Sequence, residues 1–309
     1  MFRPKPEKVA MKASKKKGKR LGELLKSDEK TRLAEAAEMI DQFGYDPLVV
    51  NARGQMGHAP IFTAVRYNHP ECAIKLALTS GLDGSHRTSE KETILVYALQ
   101  YNVNHEFIQL LLKRTDIDIS AQDSYGSSAL LIACGDKQFT AYLPQLLERT
   151  DSRILYDFGR SRTSYHATPL IEMVCMVSYP TADVDQALLL KCITDFLNMP
   201  FSLDKKKLKA RQEVLNYALL NAARGGCDAV VKLLLDVGAS AECKNKDGYN
   251  AEQLAKYNDH PDTAALIANH NLPQPSAPPP EYNAPPRMFQ HHNNASAPPL
   301  EDASKKRLI

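Results

Sequence analysis

Residues Ala218–Asp247 read ALLNAARGGCDAVVKLLLDVGASAECKNKD. An Ala-rich helix leads into a glycine turn, a Val/Leu helix follows, a second glycine stops it, and a polar loop closes the unit. The next stretch, Asp247–Ala268, reads DGYNAEQLAKYNDHPDTAALIA and runs through the same order. Ala222 aligns with Ala255, Val231 with Ala264, and Leu233-Leu234 with Leu266-Ile267, each at an offset of 33 residues. A fixed period of this size marks a stack of repeated helix pairs. One such unit cannot bury its own apolar face, so its neighbours supply the core.

Working outward, further copies emerge. Gly57-His58-Ala59-Pro60-Ile61-Phe62-Thr63-Ala64 opens one, with His69 at the start of its second helix. Thr93-Ile94-Leu95-Val96-Tyr97-Ala98 opens another, which continues through His105 and Leu110-Leu111-Leu112 to Asp118-Ile119-Ser120-Ala121. Asp123–Ala133 opens a third and Thr168–Val174 a fourth. The marker small residue, or its equivalent, falls at 64, 98, 133, 173, 222 and 255, at spacings of 34, 35, 40, 49 and 33. The two long spacings are insertions.

The pattern has local causes. Thr168-Pro169 sets a capping oxygen before a proline at the first helical position, where no N–H is needed. Ala222 and Ala223 let a neighbouring helix approach closely. Val230, Val231, Leu233 and Leu234 form an apolar helix face. Gly238 stands where a left-handed residue ends the helix. Asp123–Gly126 and Asn245–Gly248 have turn chemistry.

Together these residues resemble the ankyrin repeat, roughly D-x-x-G-x-T-P-L-H-x-A-A-x-x-G-H followed by V-x-x-L-L-L-x-x-G-A-D. The resemblance implies an all-α ankyrin-repeat solenoid of stacked helix-turn-helix units with short β-turn fingers. It departs from the pattern in places: the fourth and fifth copies lack the Asp-x-x-Gly turn, and Lys91 replaces glycine in the second, which puts that finger's geometry in question. Upstream, Leu21–Lys26 and Thr31–Phe43 read as a capping helix pair, after which Pro47 breaks the chain. The expected layout is a basic arm without fixed structure at 1–20, a solenoid of the capping pair and about six repeats at 21–270, and a disordered proline-rich tail at 271–309. Insertions fall near 149–165 and 202–213.

In ankyrin proteins the turns and the exposed side of the first helices form a concave face that holds a protein partner. Carried over by position, that face comprises His58, Arg66 and Tyr67, then Gln100 and Tyr101, then Tyr125 and Asp136. Met176, Arg224, Tyr249 and Tyr257 complete it. Tyr and Arg are enriched at interface hot spots, although a tyrosine in such a row can also serve to cover its neighbour repeat.

The net charge of +3 hides an asymmetry: residues 1–20 carry nine Lys/Arg against one Glu, so the remainder is mildly acidic. The apolar runs fall short of a transmembrane segment. The six cysteines show neither C-x-x-C nor metal-ligand spacing, and read as reduced thiols. The sequence contains no Gly-rich phosphate loop, H-E-x-x-H or G-x-S-x-G. His69, His105 and His260 all stand where second helices begin, a structural position in ankyrin proteins. The solenoid leaves no room for a separate catalytic domain, so we expect a non-enzyme with no cofactor, no bound metal and no small-molecule substrate, working as a monomer. Two rivals stand beside it: an enzyme with a Cys/His site built on the two insertions, and a plain intracellular scaffold with an inert tail. The first insertion carries Arg153, Arg160 and Arg162 with Tyr156, Phe158 and Tyr165. The second carries Lys205, Lys206, Lys207, Lys209 and Arg211, and its composition also suits a simple helix extension.

Nine of the 19 prolines lie between 271 and 309. Such a segment cannot bury enough apolar surface to offset its ordering entropy. Within it stand Pro275-Ser276-Ala277-Pro278 and, directly after, Pro279-Pro280-Glu281-Tyr282. The pair resembles the tandem P-S-A-P and P-P-x-Y segments of viral late domains. That resemblance implies binding to WW domains of HECT-type ubiquitin ligases and to UEV domains of endosomal sorting proteins. A polyproline helix would lay Pro279-Pro280 on an aromatic groove, with Tyr282 in a neighbouring pocket. In the arm, Lys15, Lys16, Lys17, Lys19 and Arg20 fit a nuclear-import signal, an anionic surface or a merely solvated terminus. Nucleic-acid recognition is disfavoured, because no aromatic residue interleaves these lysines. Degenerate repeats, basic arm, tail and the ending Lys305–Ile309 together resemble Legionella-type ankyrin-repeat effectors injected into host cells. This implies a cytoplasmic setting, that of the host.

Overall fold

The computed structural model describes residues 6–54, 57–101, 104–159, 167–179, 181, 183–200 and 204–270. All of them lie within Met1–Leu272; Pro273–Ile309 is outside the described residues. Helices come in pairs. After α1 (Pro6–Leu24), α2 (Lys30–Phe43) and the short α3 (Pro47–Val50) come α4 (Pro60–Arg66) with α5 (Pro70–Leu78), and α6 (Ile94–Gln100) with α7 (His105–Lys113). In the third pair, α8 (Ala129–Cys134) faces a 3-10 turn at Lys137–Tyr142 that runs into α9 (Leu143–Arg149). Three pairs follow: α10 (Pro169–Ser178) with α11 (Gln186–Asn198), α12 (Lys205–Arg224) with α13 (Asp228–Asp236), and α14 (Ala251–Tyr257) with α15 (Pro261–His270).

The helices form two layers. In the inner layer α1, α4, α6, α8, α10, α12 and α14 each pack on the next; in the outer layer α2 packs on α5, α5 on α7, α9 on α11, α11 on α13 and α13 on α15. The inner helices α4, α6, α8 and α14 are short, and the buried faces of the inner layer are filled by small or medium apolar residues. Ala64, Ala98, Ala133, Met173, Ala222 and Ala255, the six marker positions, are all fully buried. Val230, Val231 and Leu234 are buried as expected, whereas Leu235 takes the core place expected for Leu233, which is only half-buried. Several inner helices begin on side-chain caps: Thr93 accepts from Val96 N at 3.2 Å, Ser128 from Leu131 N at 3.2 Å, and Asn250 closes a capping box with Gln253, whereas α4 starts on Pro60 after an uncapped Ala59. Thr168 caps α10, with Pro169 in its first turn. Gly238, after α13, has φ +94°.

Two arginines fix the outer layer. Arg114, at the end of α7, donates to Ala77 O (3.0 Å) and Leu82 O (2.8 Å) of the preceding repeat. Arg149, at the end of α9, donates in turn to Leu112 O (2.6 Å) and Arg114 O (3.1 Å). Each satisfies carbonyls that a helix end leaves free.

The fingers are built alike. Asp123 N donates to Ser127 O (2.9 Å) and Gly126 N to Asp123 O (3.2 Å); the same two bonds join Gly54–His58 and Asn245–Tyr249. Gly57, Gly126 and Gly248 supply the left-handed residue at φ +76°, +77° and +85°. The second repeat makes the same turn with Lys91 at φ +63°, Thr88 N donating to Glu92 O at 3.1 Å. The finger questioned at Lys91 therefore forms, with a Cβ where glycine would be unstrained. The fourth copy also has a finger base despite lacking Asp-x-x-Gly: Gly159 and Ala167 form a bridge like those of Arg87–Thr93 and Lys244–Asn250.

The N-terminus corrects two expectations. Residues expected as an unstructured arm are helical from Pro6, and α1 is one helix through to Leu24. Gly18 explains the fit: a Cβ there would stand 2.3 Å from Ala52 Cβ and 2.4 Å from Val49 O. Only glycine lets the helix rest on that backbone. Pro47 does not simply break the chain; it starts α3, capped by Asp46, whose Oδ1 accepts from Leu48 N at 2.9 Å.

Candidate functional site

The expected binding positions cluster where inner helices end. Arg66 closes α4, and Tyr67 follows as its C-terminal cap; Gln100 and Tyr101 do the same for α6. Arg224 is the last residue of α12 and Tyr257 the last of α14. Tyr67, Tyr101 and Tyr257 are exposed, the last by 76%, and Arg66 and Arg224 are exposed as well. Stacked inner helices lie roughly 8–10 Å apart, so these ends form one row. Adjacent members interact: the Tyr101 ring stacks on Tyr97 at 4.4 Å, and the Tyr97 and Tyr101 hydroxyls raise the Arg66 pKa. Gln100 Nε2 donates to Asp123 Oδ2 at 3.3 Å, tying the row to the next finger. Tyr125 is exposed at a finger tip, and Tyr249 reaches back from the last finger to Tyr257, ring centroids 6.0 Å apart.

Three expected members do not fit as presented surface. His58 is buried between Phe62 (6.1 Å) and Tyr97 (5.6 Å). Burial, then Arg66, then His86 pushes its pKa down; it is packing between the first two repeats. Asp136 is half-buried and caps the 3-10 turn, accepting from Gln138 N at 3.0 Å. Met176 is half-buried against the core. The reason is that α10 has ten residues where α4 and α6 have seven. The extra turn carries the helix end to Tyr179, which is 53% exposed and caps α10 as Tyr67 and Tyr101 cap their helices. Counting from the N-cap missed Tyr179; aligning the C-terminal caps would have found it. Tyr217 on α12, Tyr45 beside α3 and Phe158 in the first insertion are further exposed aromatics outside the expected set.

Of the structural histidines, His69 is the buried N-cap of α5, and His105 Nδ1 lies 2.6 Å from Tyr142 OH, joining α7 to the third pair. His260 packs so tightly on Gly226 that a Cβ there would stand 2.5 Å from its Nδ1. Among the described residues no hydrogen bond joins a cysteine to a histidine. Burial raises all six thiol pKa values, Cys72, Cys134, Cys227 and Cys243 in direction and Cys175 and Cys192 to about 11. A resting thiolate nucleophile is therefore disfavoured at each.

The second insertion is no loop: Lys205–Glu213 is the first half of α12. In the first insertion Leu155 and Tyr156 are buried, and the Tyr156 ring meets Phe196 at 5.3 Å. The two segments meet where Lys207 Nζ donates to Arg153 O and Arg211 lies over Tyr156, 5.9 Å from its centroid. Arg160, Arg162 and Tyr165 lie outside the described residues, as do Pro275, Ser276, Ala277, Pro278, Pro279, Pro280 and Tyr282.

In α1, Lys15, Lys16, Lys17, Lys19 and Arg20 are exposed. Lys17 Nζ sits 3.8 Å above the Phe43 ring, and Arg20 pairs with Glu35 at 2.5 Å. Among the described residues no helix is long and apolar enough to cross a membrane.

A family model described as ankyrin repeats (3 copies) matches residues 27–123 and 61–154, the segment holding α2 to α9. These are ankyrin repeats. The three pairs that follow continue the same two-layer stack, and the described residues have the fold of an ankyrin-repeat solenoid. Among solved structures, the ankyrin repeat domain of Bcl-3, titled a unique member of the IkappaB protein family, is 17% identical, with a TM-score of 0.49. That likeness covers 80% of this chain and 97% of that one. No curated protein matches the chain. Ankyrin repeats point to a protein–protein interaction scaffold.

Proposed function

We propose that the chain is a non-enzymatic adaptor, whose ankyrin solenoid grips one protein while its tail recruits another. The observation that carries this reading is the set of exposed Arg66, Tyr67, Tyr101, Tyr179, Arg224 and Tyr257 at the ends of the inner helices α4, α6, α10, α12 and α14. Tyrosine offers a large, rigid contact area at low entropic cost, and arginine forks across it. The raised thiols and the helical second insertion favour this reading over a Cys/His enzyme. In the tail, Pro279, Pro280 and Tyr282 would meet a WW domain of a HECT-type ligase, and Pro275–Pro278 a UEV sorting domain. The two motifs are contiguous, so one tail engages a WW or a UEV domain but not both at once. The solenoid sets specificity, and the tail supplies proximity through effective concentration. The resemblance to injected ankyrin effectors supports a host-cytoplasm setting for this adaptor.

Three experiments test the reading. Affinity purification of the full chain beside a version ending at Asn271 separates solenoid partners from tail partners. Substituting Tyr282→Ala should abolish WW-domain capture and leave the melting temperature unchanged; undiminished capture of WW-containing ligases refutes the tail assignment. For the solenoid, Tyr101→Ala with Tyr257→Ala should lower capture of its partner without changing the fold, and unaltered capture removes the row from the site.

A further inference from the structure

Helix α1 presents a cationic face that the solenoid does not use. Residues 6–20 hold seven Lys/Arg against Glu7. Lys8, Lys12, Lys15 and Lys19 recur at the four- and three-residue steps that keep side chains on one helix face. At 1.5 Å per residue the stripe is about 16 Å long. All four are exposed, and among the described residues none forms an ion pair. Gly18, Leu21 and Leu24, on another face of the helix, meet the body; Lys8 and Lys12 stand beyond the part so packed, and Lys15 and Lys19 lie beside it. At its inner end Lys15 and Lys19 join Arg53 on the wall of a cleft of about 650 Å³, floored by Pro47, Leu48 and Asn51. Asp83 also borders that cleft, its Oδ1 already accepting from Ser85 N and Oγ.

Two exposed aliphatic side chains flank the stripe, Val9 at 52% and Met11 at 48%. Lysines beside protruding aliphatic groups, on a helix held against a folded body, match the interfacial zone of an anionic bilayer. A nucleic-acid strand would be met instead by aromatic or base-reading side chains, and this face has none. We propose that α1 docks the protein on an anionic lipid surface, with headgroup phosphates against Lys8, Lys12, Lys15 and Lys19 and in the Arg53 cleft, and with Val9 and Met11 entering the headgroup layer.

Helix α12 is the internal control. Its basic segment has similar charge, but Lys207 and Arg211 turn inward to the 152–158 segment and Lys209 lies 3.9 Å from Glu213. The test is co-sedimentation of the full chain with phosphatidylcholine vesicles, neutral or with phosphatidylserine as roughly a third of the lipid. Binding is expected only to the anionic vesicles. Each lysine of the stripe is worth about fivefold in partitioning. Lys12→Gln with Lys15→Gln should therefore weaken binding about 25-fold, and adding Lys8→Gln and Lys19→Gln several-hundred-fold. Glutamine keeps the helix propensity, and circular dichroism checks that each variant stays folded. Val9→Ser with Met11→Ser should weaken binding further at high salt, where the electrostatic part is screened. Lys205→Gln with Lys206→Gln should change it less than about threefold. Equal binding to neutral vesicles, no binding to anionic ones, an unaffected Lys12/Lys15 double variant, or an equal loss in the Lys205/Lys206 pair each overturns the proposal. Capture by duplex DNA but not by vesicles does so too.

Discussion

Helices α1 and α12 stand in the same layer of the stack, and each begins with a basic segment that runs beyond the part packed in the core. Their lysines nevertheless meet different surroundings. Alongside α12 lies the 152–158 segment, which takes Lys207 through a carbonyl and Arg211 through an aromatic ring. Alongside α1 lie α3, reached through Gly18, and α2, which takes Lys17 on the Phe43 ring and Arg20 through Glu35, while four other lysines stay exposed. A count of charges treats the two segments alike; the neighbouring element decides whether a cation braces the fold or is presented to a partner. Both helices also contrast with those of the fingered repeats. Where a turn such as Asp123–Gly126 precedes an inner helix, the chain folds into a finger and the helix is short. The sequence directly before α12 holds no Asp-x-x-Gly, and α12 runs to 20 residues.

That contrast can be broken in order of effect. Ala210→Pro should cost about 3 kcal/mol if 205–209 is helically continuous with the inner part of α12. Hydrogen exchange should show lost protection over 205–213 with 214–270 retained, and an unchanged exchange profile would mean the extension contributes no structure. Gly18→Leu should cost about 1–3 kcal/mol, because its Cβ meets the Val49 and Ala52 backbone region and cannot be accommodated by a flexible side chain. The expected sign is a lowered melting temperature, with α1 released and α4 onward intact. Lys91→Gly should stabilise by about 1 kcal/mol, since the left-handed residue would lose its Cβ strain. No gain in denaturant midpoint would show that the neighbouring structure already relieves it. The smallest effect concerns the roots of the first two fingers. His58 and His86 have pKa values pushed below 6.5, chiefly by burial. The unfolded chain therefore binds protons that the folded chain refuses, and stability falls as pH drops through 6.5. Melting curves at neutral pH and below pH 6 check this, and His86→Asn should flatten the dependence.

The fold was largely legible because the ankyrin pattern is written in local chemistry: capping oxygens, small inner-helix residues and turn glycines. It held even where one letter changed, as at Lys91, because the finger's backbone bonds do not depend on the side chain. What was not legible depended on lengths and neighbours. The extra turn of α10 moved the exposed cap from Met176 to Tyr179, and no periodicity announces such a lengthening. His58 reads as a surface residue from its register, yet Phe62 and Tyr97 enclose it. The basic arm reads as unstructured by charge, but Gly18 and the backbone at Val49 dock it, a contact between residues 31 apart in sequence. The first insertion looked functional for its arginines; its Tyr156 is instead core, matched to Phe196.

The arginine clamps give the stack a direction. Arg149 holds carbonyls at the end of α7 and Arg114 holds those at the end of α5, so each clamp reaches only toward the N-terminus. The two clamps meet on α7, which gives its Leu112 carbonyl to Arg149 and, through Arg114, holds carbonyls of the pair before it. Loosening α7 would therefore free carbonyls on both of its sides, and the pairs flanking it would lose a shared brace.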